Sequence, residues 1–168
     1  MVQFVGASLD AVYTATQLTG SEAHKVPALG DIYWDRGKCY KFVKYSDGTA
    51  DLDLAAGDVV YYVDVTGYDA NTVTADVSDS TGAEIGAGVA QAAVTADGSY
   101  FWVQIKGAAT LAVAIGGSAG DGDPLTAVGA ADKALTKAAE ADTAATYKAV
   151  VAFAVDASEK KIICDFPF

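Results

Sequence analysis

Cations are scarce in this sequence. Eleven Lys and Arg stand against 22 Asp and Glu, for a formal net charge of −11, and Arg36 is the one arginine. Nucleic-acid binding works by Lys and Arg displacing counterions from phosphates, so no direct nucleic-acid partner is expected. Cysteine is down to Cys39 and Cys164, too few and too far apart for a disulfide framework. In a reducing compartment both would be small buried hydrophobes, with a single disulfide between them as the alternative. The lone histidine, His24, sits in the polar stretch Ser21-Glu22-Ala23-His24-Lys25 with no second His and no nearby Cys. Catalysis or metal binding needs partners around it, so it reads as a loop residue. Long hydrophobic runs are missing too. No stretch approaches the roughly 18 apolar residues of a membrane span. The start, Met1-Val2-Gln3-Phe4, has no basic region leading into an apolar run, so no signal peptide is expected.

What is present is small or apolar. Of 168 residues, 52% are hydrophobic and 20% charged, which is unlike a disordered acidic tail. Alanine inflates the hydrophobic share, with 34 positions, so the core must come from 2 Trp, 9 Tyr, 6 Phe and the Val, Ile and Leu positions. A chain of this length is one domain that can bury roughly 70% of its unfolded surface.

The pattern is one of short strands separated by Gly and Asp-Gly turns. Residues 39–45 put Tyr40, Phe42 and Lys44 on one side and Lys41, Val43 and Tyr45 on the other. Of the eleven cations, Arg36, Lys38, Lys41 and Lys44 fall in one segment, which reads as a solvated strand face. Residues 58–65 are β-branched and aromatic, as a strand requires, and 72–77 form a weaker one. Residues 88–94 and 99–106 read as a hairpin, its second strand placing Phe101, Val103 and Ile105 opposite Tyr100, Trp102, Gln104 and Lys106. Gly107-Ala108-Ala109 is expected to turn the chain into a strand at 110–115. The closing strands are expected at 147–155 and 160–166. Residues 1–30 read as an N-terminal arm or extended segment, with a strand-like piece at 11–18, preceding a single all-β domain over 31–168. The Ala-rich stretch 127–145 predicts either at most one short helix, at about 130–141, or an Ala-rich loop with a helical turn. The expected fold is all-β, a compact barrel or sandwich of short antiparallel strands.

The sequence contains no nucleophile elbow, zincin motif, Walker loop, dinucleotide fingerprint or Cys-x-x-Cys. The closest carboxylate pairs, Asp51/Asp53 and Asp121/Asp123, fall in turn-rich composition and do not build the twelve-residue loop of an EF-hand. No catalytic residue, cofactor or metal is therefore assigned, and the chain is not expected to be an enzyme.

The stretch Gly88-Val89-Ala90-Gln91-Ala92-Ala93-Val94, Asp97-Gly98-Ser99-Tyr100 and Trp102-Val103-Gln104-Ile105-Lys106-Gly107 resembles a hairpin of tailed-bacteriophage capsid decoration, or cement, proteins. Gly122-Asp123-Pro124-Leu125 resembles the Gly-Asp-x-Leu step of the same proteins, followed by a small-residue stretch and a closing strand pair. Upstream, Gly37–Val43 and Leu54–Val60 also resemble phage structural chains. The resemblance implies a non-enzymatic virion protein on the outer surface of the head, made in the host cytoplasm. It would bind the major capsid protein, usually as a homotrimer, with no membrane partner. Candidate capsid or subunit contacts are Phe4 and Val5 near the N-terminus, Phe166 and Phe168 at the C-terminus, and the aromatics Trp34, Trp102, Tyr61 and Tyr62. Adjacent residues of a strand point to opposite faces, so at most one of Tyr61 and Tyr62 is expected in the core. The competing reading is a receptor- or glycan-binding module of a phage tail or cell surface.

Overall fold

The computed structural model describes residues 8–21, 23–49, 51–63, 71–80, 84–138 and 150–167. Phe4, Val5 and Phe168 lie outside them. The fold is all-β. Its strands are β1 (Ile32–Asp35), β2 (Lys38–Tyr45), β3 (Val59–Tyr62), β4 (Thr72–Thr74), β5 (Gly86–Ala90), β6 (Tyr100–Thr110), β7 (Pro124–Thr126), β8 (Thr136–Lys137), β9 (Ala152–Asp156) and β10 (Lys161–Asp165). They form one sheet in the order β1-β2-β4-β3-β5-β6-β10-β9-β7-β8, and β2 also pairs with β6. That extra pairing closes β2, β4, β3, β5 and β6 into a five-stranded barrel. Every ladder of the ring is antiparallel except β2 with β4.

Strand alternation explains how two cores form on one wall. Along β2, Cys39, Val43 and Tyr45 enter the main core, while Tyr40 and Phe42 point the other way. Along β6, Phe101, Val103 and Ile105 join the main core, and Tyr100 and Trp102 join the second cluster. Both face assignments match the sequence pattern. The second cluster is covered by Leu9, Tyr13, Leu18 and Val26 of the N-terminal segment and by Tyr33 of β1. Its rings meet in tilted, edge-on and stacked pairs, Phe42 tilted at 5.2 Å from Trp102, edge-on at 5.7 Å from Tyr13 and stacked at 6.3 Å on Tyr100. Such pairs contribute about 0.5–1.5 kcal/mol each beyond their buried area. Tyr13 and Tyr100 exchange both backbone hydrogen bonds, each at 2.8 Å, which fastens the segment to the barrel.

β6 is the longest strand because it serves two sheets. Its first half lies in the barrel, and residues 106–110 pair with β10, from which β9, β7 and β8 extend outward. The junction is Gly107, at φ +89. A Cβ there would lie 2.7 Å from the Gly37 carbonyl oxygen and 3.2 Å from Lys38 Cα. Glycine thus permits both the left-handed backbone and the close approach of the β1–β2 turn.

Four expectations are corrected. Residues 107–109 do not turn, since β6 runs through to Thr110, and 111–115 hold no strand. The glycine marks a bend inside a strand, which composition alone does not separate from a turn. The strand-like piece at 11–18 is extended only at Tyr13, which bridges Tyr100, and then turns into an α-helix, α1 (Ala15–Thr19), started where the Thr14 N–H donates to Gln17 Oε1 at 2.7 Å. No helix occupies 130–138, where Thr136–Lys137 pair as β8 instead; 139–141 lie outside the described residues. Pairing with β7 overrides the helix propensity of alanine. Tyr61 and Tyr62 are both buried. The segment at 131–134 lies against one face of β3 and holds the Tyr61 hydroxyl, which donates to the Ala134 carbonyl at 2.5 Å, with the Ala131 carbonyl at 3.0 Å as the alternative acceptor, and accepts the Ala134 N–H at 3.0 Å. Among the described residues no helix is long and apolar enough to cross a membrane.

Gly107→Ala is expected to destabilise the fold by about 2 kcal/mol, the range for a strained left-handed residue. Urea unfolding at constant m-value measures it, and a loss below about 0.5 kcal/mol would contradict the role given to this junction.

Candidate functional site

The outer sheet has one face on the main core. Ala152 and Ala154 of β9 and Ile162 and Cys164 of β10 point inward and are buried. In a half-buried antiparallel sheet the intervening positions are normally polar. Here three of them are apolar, Phe153 (48% exposed) and Val155 (51%) on β9 and Ile163 (49%) on β10, with Lys161 and Asp165 flanking Ile163 on the same strand. The register aligns them. Ile163 stands opposite Phe153 on one side and Ala108 of β6 on the other, and Phe153 stands opposite Pro124 of β7. The result is a row Ala108–Ile163–Phe153–Pro124 across four strands. Val155 adjoins it, in the stretch where a bulge shifts the β9–β10 register. Ion pairs border the row, Lys106 with Asp165 on one side and Lys137 with Asp123 at 2.9 Å on the other. An apolar centre with a charged rim has the make-up of a protein-binding patch.

The residues singled out from sequence fall elsewhere. Tyr61, Tyr62, Trp102 and Phe166 are buried within the chain. Phe166 packs so closely on Gly86 that a Cβ there would lie 2.8 Å from its ring. The Trp102 indole N–H is buried without a hydrogen-bond partner. Trp34 alone of the described candidates is open, 60% exposed on β1. The structure therefore does not bring these residues into one site. The outward row was missed because Phe153, Val155 and Ile163 read as core. The available signal was that Ala152 and Ala154, between the large residues of β9, are the ones small enough to face a tightly packed core.

The carboxylate pairs serve the loops. Asp121 accepts the Ala157 N–H at 2.9 Å, and Asp123 accepts the Gly120 N–H at 2.7 Å and pairs with Lys137. The Gly120 N–H and then Lys137 hold the Asp123 carboxyl below its usual range. Asp51 and Asp53 are exposed in the loop after β2. Among the described residues no three His, Cys, Asp or Glu side chains are grouped to hold a metal.

Cys39 and Cys164 are free and buried. They pair with Lys106 and Gly107 from opposite sides of β6. Two strand spacings, about 10 Å, separate them, beyond the roughly 7 Å that a disulfide spans. Burial pushes the Cys164 thiol up to about 12 and raises Cys39 as well, the opposite of a reactive thiolate. An open cleft of about 280 Å³ lies where β5 and β6 diverge, lined by Lys38, Gln91 and Gln104 among others. The Gln91 and Gln104 amides donate to backbone carbonyls of Val89, Lys106 and Ala108.

Lys41 corrects the solvated-face reading of the cation-rich segment. It is 5% exposed, its amine donates to the Tyr62 hydroxyl at 3.0 Å, and it lies 4.9 Å from the Tyr62 ring centroid. Burial lowers its pKa and pushes that of Tyr62 up to about 12. No family model matches the chain, and no curated protein or solved structure matches it.

Folding lowers the Lys41 pKa, so its charge opposes folding at neutral pH, and the penalty fades as pH rises toward the ordinary 10.5. Lys41→Met should therefore be more stable than the parent at neutral pH, by on the order of 1 kcal/mol. That gap should narrow toward alkaline pH in paired denaturation curves. A gap independent of pH would show that the amine is not desolvated as described.

Proposed function

We propose that this chain is a non-enzymatic decoration protein of a bacteriophage head, binding the major capsid protein from the outside through the Ala108–Ile163–Phe153–Pro124 row. The observation that carries the reading is that row. Large apolar side chains occupy the positions where a half-buried sheet ordinarily exposes polar ones. They stand on regular strands whose opposite face is packed into the core, so binding orders little and loses little entropy. The resemblance of residues 37–166 to cement proteins supplies the partner class. The net charge of −11 suits an outward-facing, soluble subunit. Many copies on one shell would add weak contacts into a strong clamp, with a homotrimer as the expected unit.

A receptor- or glycan-binding module is the second reading, favoured by Trp34. An indole that open is a surface on which a sugar ring could stack, and a glycan array separates the two readings.

The decisive experiment is decoration of purified heads by the full chain. Phe153→Glu combined with Ile163→Glu should keep the melting curve and lower head affinity by at least about 100-fold, the scale of losing two central anchors. Wild-type occupancy by the double variant would overturn this assignment of the binding face.

A further inference from the structure

We infer that copies of this chain associate head to tail, the β1–β2 hairpin of one docking on the acidic loops at the far end of β2 in the next. The hairpin is held against the barrel, its turn resting on the Gly107 junction and its outer face open. Its two turn residues, Arg36 and Gly37, both have left-handed φ, +46 and +80, as a tight type I′ turn requires. Below the turn, Tyr33 packs on Tyr40 and Trp102 at 6.4 and 6.1 Å, so the hairpin is held in place before any partner arrives. Trp34 and Ile32 share the face opposite Tyr33 and are exposed, and the Arg36 side chain is 92% exposed. β1 is the last strand of the sheet on that side. Tryptophan and arginine are the residue types most enriched among binding hot spots.

Charge identifies the occupant. At the turn stand Arg36 and Lys38 against one acid, Asp35, in a chain that is otherwise strongly acidic, whereas Lys41 is buried and Lys44 lies toward the other end of the strand. The Asp35–Arg36 pair is 4.0 Å long and exposed, too weak to neutralise the tip. At the other end of β2, about 24 Å away at strand rise, the loops after Tyr45 and before Ser99 bring together Asp47, Asp51, Asp53 and Asp97. The Asp47 N–H reaches Asp97 Oδ1 at 3.4 Å, and Tyr45, at the base of this end, feels all of Asp47, Asp53 and Asp51. Lys44 is the nearby cation, on β2 beside Gly98. The barrel is therefore polar along β2, with a cationic aromatic tip at one end and a carboxylate surface at the other. Two different patches that match each other make a heterologous interface, which closes into a ring or runs on as a filament. This deepens the assembly part of the reading above and rests on it for the closed three-copy form. The contact itself needs no capsid.

Sedimentation velocity and light scattering on the full chain test it. At about 100 µM and low salt the mass should exceed the monomer, and it should fall as salt screens the contact. Trp34→Ala and Arg36→Asp should each give monomers with unchanged melting, since Trp34 is open and Asp-Gly suits the same turn. An Asp53→Lys/Asp97→Lys variant should also be monomeric. Mixed with Trp34→Ala, it should form a one-to-one dimer and stop there, because that pair retains one good tip and one good acidic end, and the truncated tip gains no charge to match the new lysines. Three results overturn the inference: a monomer under all these conditions, an assembly indifferent to Trp34→Ala and Arg36→Asp, or folded variants that fail to complement. Assembly without head binding would overturn the decoration reading alone.

Discussion

The pairing of β2 with β6 is the contact on which the rest of the structure depends. Without it the strands would form an open, twisted sheet with two edges near the aromatics. With it, five strands close on themselves and the main core is enclosed on all sides. Closure also fixes the outer wall, because the same five-residue register that joins Tyr40–Lys44 to Tyr100–Gln104 sets Phe42 against Trp102. The N-terminal segment then has a flat aromatic surface to cover. A single ladder thus organises both hydrophobic clusters.

β6 passes that order to the second sheet. It continues beyond the barrel only because Gly107 allows the backbone to cross the β1–β2 turn at contact distance. The outer strands are fixed at an angle set by this junction, and their inward positions, Ala152, Ala154, Ile162 and Cys164, complete the main core. Among the described residues nothing covers their outward positions. The surface row is a consequence of where β6 carries the sheet, and its apolar character is a property of the residues placed there.

Buried polar groups show where the fold accepts cost. Among the described residues the Lys41 amine has a hydroxyl and a ring for company and no carboxylate, and the Trp102 N–H finds no acceptor. An unsatisfied buried donor costs about 1–3 kcal/mol. The densely packed aromatic and aliphatic surroundings offset these costs through buried area and ring contacts. The β1–β2 turn carries Arg36 and Lys38, while Asp47, Asp51, Asp53 and Asp97 gather in the loops at the opposite end of β2.

Alternation along β2 and β6 made the two faces of the barrel wall readable from residue order, since neighbouring side chains of a strand must diverge. Turn residues likewise located most strand ends. Glycine misled at 107–109 because the same conformational freedom serves a turn and a bend within a strand. Tyr61 with Tyr62, and Lys41, misled because burial depends on what lies across from a face, and those coverings come from residues 131–134, 62 and 167, distant in the chain. The local sequence by itself determined strands, turns and which side chains share a side. Barrel closure, the outward aim of Phe153 and Ile163, and the separation of charge to two ends were decided by tertiary pairing, because each depends on which strands meet, and contacts between distant segments leave no local periodicity.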